Sequence, residues 1–170
     1  MFDSHIFFSI LLALAGMISS EKEKNQWNRF RGPNGTGIDS SNLSLPSWGD
    51  SDYLWKIDLP GTGHASPVAW GNRIFVTCSN DENDLGYLVA VNESDDELLW
   101  QKEFLVSDLT MHKDNNLASP SPAADESHVY VIWYSKQKKS LYALDHEGQM
   151  KWELEFGGIE ARHGGGSSLM

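Results

Sequence analysis

The chain of 170 residues has the size of one ordinary soluble domain, with 40% hydrophobic and 22% charged residues. Its formal net charge of -11 excludes a phosphate-backbone partner as the leading expectation, because nucleic acid is bound with an excess of Lys and Arg that is absent here. Cys78 is the single cysteine, so no internal disulfide can form and sheet or helix packing must hold the fold together.

In chain order, residues 1–20 come first, an apolar run from Ile6 to Ile18 followed by small residues, which reads as a secretory signal peptide. Asp3 and His5 stand where a Lys or Arg is usual, leaving the amino terminus as the positive end. Retention as an anchor is the alternative, but a bilayer span needs about 20 apolar residues, more than this run supplies. Met17 occupies the position where a lipoprotein would carry its cysteine, so no lipid anchor is expected. The chain is therefore expected to be exported, periplasmic or secreted, with no stable membrane span after cleavage.

Residues 21–51 form a polar and Gly/Pro-rich lead-in with few strand signals. Gly32-Pro33-Asn34-Gly35-Thr36-Gly37 places glycines at turn positions, and the Gly-Lys-Ser/Thr that a phosphate loop requires does not follow. Trp27, Phe30 and Trp48 are expected to pin the lead-in onto the body of the fold.

From residue 52 the chain repeats itself. Tyr53 to Leu59 carries Trp55 on an apparent outer strand with no first strand before it. Ser66-Pro67-Val68-Ala69 leads into Arg73 to Val76, and then Gly86 to Phe104 reads as a hairpin with Ala90 and Asn92 closing its first strand and Trp100 on its second. The same order recurs with Ser121-Pro122-Ala123-Ala124, His128 to Val131, and a hairpin over Lys139 to Phe156 that holds Ala143, Asp145, Gly148 and Trp152. Leu141, Ala143 and Asp145 alternate with Tyr142 and Leu144, the two-residue period of a pleated strand. Glu147-Gly148 supplies the second turn, and Glu93 to Glu97 the first, one residue longer.

Consecutive tryptophans in this series lie 45 and 52 residues apart. Repeats of about 40 to 50 residues built from four short strands point to propeller blades, since one such sheet cannot bury both faces alone. The expected fold is all-β: a β-propeller fragment of four-stranded antiparallel blades over residues 52–170, with blades at about 64–104 and 118–156. Trp55 would lie on a leading closure strand, and the next blade would begin at about 164. Closed propellers use about 4 to 8 blades, so two blades imply a truncated array whose bare blade faces can self-associate.

The residues Ala143, Asp145, Gly148 and Trp152 resemble the pyrroloquinoline-quinone (PQQ) repeat, the blade signature of quinoprotein dehydrogenases and of many PQQ-like propellers that bind no quinone. Asp95 and Asp96 depart from it where Thr and Gly are expected in the first copy. The opening Trp27-x-x-Phe30-Arg31-Gly32-Pro33-Asn34-Gly35-x-Gly37 is similar to the lead-in of exported PQQ-like propellers, so the resemblance covers residues 27–170. It implies one of two functions. The first is an exported, non-enzymatic binding or assembly scaffold that needs no cofactor. The alternative is a fragment of a PQQ-dependent oxidoreductase acting on alcohols or sugars, with calcium polarising the quinone. The paired cysteines of quinoprotein alcohol dehydrogenases are absent at Cys78-Ser79, and no calcium-type D-x-D-x-D-G loop occurs, so no metal site is expected.

His64, His112 and His163 occupy equivalent slots ahead of the innermost strands, at the channel end where a propeller would take a protein or small-molecule ligand. Hydrogen bonding to neighbouring loops is the competing role for each imidazole. Arg29, Arg31 and Arg162 are the cations that could meet a carboxylated ligand. His163-Gly164-Gly165-Gly166 resembles an esterase oxyanion loop but has no G-x-S-x-G partner. Cys78, at a strand end, reads as a buried inert thiol. Trp55, Trp100 and Trp152 read as structural, packing between blades while each indole N–H finds a backbone acceptor.

Overall fold

The computed structural model describes residues 26–39, 47, 49–106, 112, 114–158 and 165–170. The leader, the spacer Glu21 to Asn25, Trp48, Arg162, His163 and Gly164 lie outside the described residues.

Among the described residues the regular structure is all-β apart from short 3-10 turns at Asp50–Asp52 and Asp81–Asn83. Strands β1 (Val68–Trp70), β2 (Arg73–Asn80), β3 (Leu85–Asn92) and β4 (Leu98–Leu105) form one four-stranded antiparallel sheet in sequential order. Strands β5 (Ala123–Ala124), β6 (Val129–Tyr134), β7 (Lys138–Leu144) and β8 (Met150–Gly157) form a second sheet with the same order. This is the architecture of two propeller blades, as the repeat predicts, and Trp100 and Trp152 sit on the equivalent outer strands β4 and β8.

The inner strands are short and start at Val68 and Ala123, within the Ser-Pro repeats. Pro67 and Pro122 stand directly before them, and a residue without an N–H cannot extend the ladder. The connection ahead of β1 is tied instead by the His64 and Ala65 amides, which both donate to the Ala118 carbonyl. The Ser66 amide donates to Ser121 Oγ at 2.8 Å, and the Ser121 amide to Ser168 Oγ at 3.0 Å, so the Ser-Pro repeat forms a chain of identical bonds.

Both hairpins carry the same irregularity. Ala90 faces Trp100 while Val91 faces Leu98, and Ala143 faces Trp152 while Leu144 faces Met150, so Leu99 and Lys151 are bulged out beside each tryptophan. A bulge twists and re-aims the outer strand locally. Alternation then sorts the side chains. Phe75, Leu88, Ala90 and Phe104 from the first sheet meet Val129, Val131, Trp133 and Leu144 from the second in one buried cluster, with Trp100 and Tyr142 packed at its margin. The opposite face of the first sheet buries Cys78, Tyr87, Val89 and Val91.

Residues 53–59 correct one expectation: they form no strand. A strand is made by its ladder, and this segment is offered no sheet edge. It lies across the first sheet instead, where Trp55 and Ile57 cover the cluster around Cys78 and Tyr87. In the lead-in, the Ala69 amide donates to the Trp27 carbonyl and the Ala124 amide to the Asn28 carbonyl, so these residues bridge the inner strands of both sheets. Phe30 is exposed.

Candidate functional site

The repeated hairpin turn builds the junction between the sheets. In the second hairpin Asp145 Oδ1 accepts from the amides of Glu147 and Gln149, and Lys151 pairs with Asp145 Oδ2 at 2.7 Å. The Lys151 side chain and these amides hold the Asp145 carboxyl below its ordinary range. The tight turn places Gly148 at φ +83, a left-handed conformation that side chains disfavour. A Cβ there would stand 2.8 Å from Trp100 Cδ2, so glycine is required twice, by the backbone and by the indole lying over it. The Trp100 indole N–H then donates to the His146 carbonyl at 2.9 Å. Its ring packs on Phe75 with centroids 5.9 Å apart, and Arg73 bonds Glu147 across the same junction at 2.9 Å.

Trp55 makes the same bond one repeat earlier, its indole N–H donating to the Glu93 carbonyl at 3.0 Å. Glu93 follows Asn92 as His146 follows Asp145, so the acceptor is the equivalent residue of the preceding turn. Segment 53–59 thus reproduces the indole contact of an outer strand without being one. Asp95 caps the first loop by accepting from the Glu97 amide.

Trp152 is the third member of the series and has no such acceptor among the described residues; it packs on Tyr130 with centroids 5.9 Å apart and is 41% exposed. Along β8, Leu154 and Phe156 follow it on the same face and are also exposed. The register rows make the comparison direct. Phe75, Ala90 and Trp100 form a row on the face of the first sheet that is buried against the second. Tyr130, Ala143 and Trp152 form the matching row on the second sheet, followed by Ile132, Leu141 and Leu154. The second sheet therefore presents outward the same apolar face that the first sheet buries.

A concavity of about 430 Å³ opens on this face, lined by Tyr130, Leu141, Trp152, Leu169 and Met170 together with the polar Asn28, Arg29 and Asp125. Asp125 Oδ1 accepts from the Ser127 and His128 amides and Oδ2 from the Tyr130 hydroxyl at 2.7 Å. Burial acts to raise the Asp125 carboxyl, but the hydroxyl, the two amides and the nearby His128 outweigh it and hold the carboxyl below its usual range. Burial and the Asp125 charge push the Tyr130 phenol up to about 12. Asn28 Oδ1 is buried there without a hydrogen-bond partner. Sequence reading did not single out this group; its available signal is the Asp125-x-Ser127 turn pattern, in which an aspartate caps the amide two residues on.

Of the proposed channel-end residues, His163 lies outside the described residues. His64 is exposed and participates through its backbone amide, while the His112 imidazole lies 3.4 Å from Asp114. Neither lines the concavity on the second sheet. Arg29 donates to the Gly32 and Pro33 carbonyls and Arg31 to the Thr36 carbonyl, so both guanidinium groups help shape the lead-in. Cys78 is buried, and that burial raises its thiol above the ordinary range. Among the described residues, no group of three or more His, Cys, Asp or Glu is placed to hold a metal ion, and no helix is long and apolar enough to cross a membrane.

No protein-family model matches the chain, and no curated protein matches it.

Proposed function

We propose that the chain is an exported PQQ-like β-propeller protein acting as a binding or assembly scaffold. The observation that carries this reading is the outward face of the second sheet, where Tyr130, Leu141, Trp152, Leu154 and Phe156 present apolar surface in the register that the first sheet buries. Contiguous exposed apolar surface marks an interaction site on a soluble protein. The neighbouring hydrogen bonds to Asp125 give the face a fixed polar border. A protein or small-molecule ligand would be taken up by apolar contact, with no covalent step.

Panning a random-peptide library against the full chain tests this. Apolar, aromatic-containing peptides should be selected, and Trp152→Ala or Phe156→Ser should weaken their binding at least tenfold. His64→Ala and His112→Ala should leave it unchanged. Addition of PQQ and Ca²⁺ should give neither bound quinone absorbance nor dye reduction with alcohols or sugars; turnover would assign the oxidoreductase function instead. Export through residues 1–20 predicts a shortened mature chain outside the cytoplasm, and a full-length cytoplasmic product would refute that part.

A further inference from the structure

We infer that the outward face of the second sheet docks a second copy of this chain, head to tail, on the first sheet of that copy. The inference rests on the scaffold reading and names its partner. Its template is the junction within the chain. There, the row Phe75, Ala90 and Trp100 is seated on the second sheet, the Trp100 indole N–H donates to the His146 carbonyl, and Val129, Val131 and Leu144 receive the apolar row. Each element of this template exists again at the two ends of the pair of sheets. The row Tyr130, Ala143 and Trp152 is the equivalent donor face. The equivalent receiving face is that of Val76, Cys78, Tyr87, Val89 and Val91, with the Glu93 carbonyl as the equivalent acceptor.

That receiving face is covered by the chain's own Trp55 and Ile57, which hold the Glu93 carbonyl with one indole hydrogen bond. The cover buries the face closely, with Cys78, Val89 and Val91 at most 2% exposed, but it is made by a segment that forms no ladder and whose Tyr53 and Leu54 are exposed. Trp152 of a second copy would bring β8 with Leu154 and Phe156, a whole strand face in place of two side chains. Segment 53–59 is thus a self-plug that competes with the second copy for the same carbonyl. The donor and receiving faces differ, so the contact is heterologous and each docked copy leaves another pair of faces open. The net charge of -11 per copy opposes approach, and salt that screens it should strengthen association.

Sedimentation velocity of the full chain from low to high micromolar concentration, at two ionic strengths, reads the prediction. The wild-type chain should associate reversibly, more strongly at the higher ionic strength. Trp152→Ala should weaken association at least tenfold, and Phe156→Ser, a milder change to an exposed side chain, should weaken it in the same direction without altering the circular dichroism spectrum. Trp55→Ala should strengthen association by removing the plug, with Trp55→Phe intermediate. Monomers throughout for both the wild type and Trp55→Ala would overturn the inference, as would association that Trp152→Ala and Phe156→Ser leave unchanged. If the chain stays monomeric while selected peptides still bind in a Trp152-dependent manner, the second-copy inference fails and the scaffold reading stands. Loss of both fails both.

Discussion

Gly148→Ala gives the sharpest test of how the sheets are joined. Holding a non-glycine residue at φ +83 costs about 1–2 kcal/mol. The new Cβ would also meet Trp100 Cδ2 at 2.8 Å, and the next nearest atoms, at 3.1 Å, belong to the same indole, so the ring must move away as a unit. Moving it lengthens the bond to the His146 carbonyl, worth about 1 kcal/mol net. The sum is about 3 kcal/mol, a shift of about a hundredfold in the unfolding constant. Gly71 provides the control, because its φ is +64 but nothing lies within 4 Å of its missing Cβ. Gly71→Ala should show the backbone cost alone. Urea unfolding followed by tryptophan fluorescence measures both, and in the Trp100→Ala background the excess cost of Gly148→Ala should disappear. Equal destabilisation by Gly148→Ala and Gly71→Ala, or an excess that survives Trp100→Ala, would refute the claim that the indole rests on this glycine.

Four further outcomes follow from the structure. Trp100→Phe keeps the ring contact with Phe75 but removes the indole donor, and should cost about 1 kcal/mol in the same unfolding assay. Because the folded-state pKa of Asp125 is depressed, its contribution to stability is present above the unfolded value of about 3.9 and lost as pH falls through the folded value; Asp125→Asn should flatten the acid limb of a stability profile below about pH 4. Tyr130 titrates in the opposite sense, so spectrophotometric titration should find one phenol that ionises near pH 12 and moves back toward 10 in Asp125→Asn. Cys78 should resist alkylation in the native chain and react fully in denaturant; rapid native labelling would contradict its burial.

The two sheets were legible because alternation, Ser-Pro starts and paired tryptophans all fall at matching places, and each independently requires the same strands. Gly148 was legible as a turn residue, but its second role was not, since the indole that needs the space lies 48 positions earlier in the sequence, at Trp100. Residues 53–59 show the limit of pattern. Their residues match an outer strand, yet a strand exists only with a partner, and the first sheet offers them a face and not an edge. The Asp125 and Tyr130 pair was missed for a related reason: a carboxylate in a turn looks solvated until the fold folds a tyrosine over it. The histidine slots recur in the sequence, and at His64 it is the backbone amide that donates to the Ala118 carbonyl.

The central claim is that one indole of the series is clamped between sheets and the equivalent one is open. Amide and indole hydrogen exchange of the dilute, ¹⁵N-labelled chain measures it directly, with the indole signals assigned by Trp→Phe substitution. The Trp100 indole proton should be protected by its bond to the His146 carbonyl, and the Trp152 indole proton should exchange at the rate of free tryptophan. Equal protection of the two in the monomer, or free exchange at Trp100, would contradict the account.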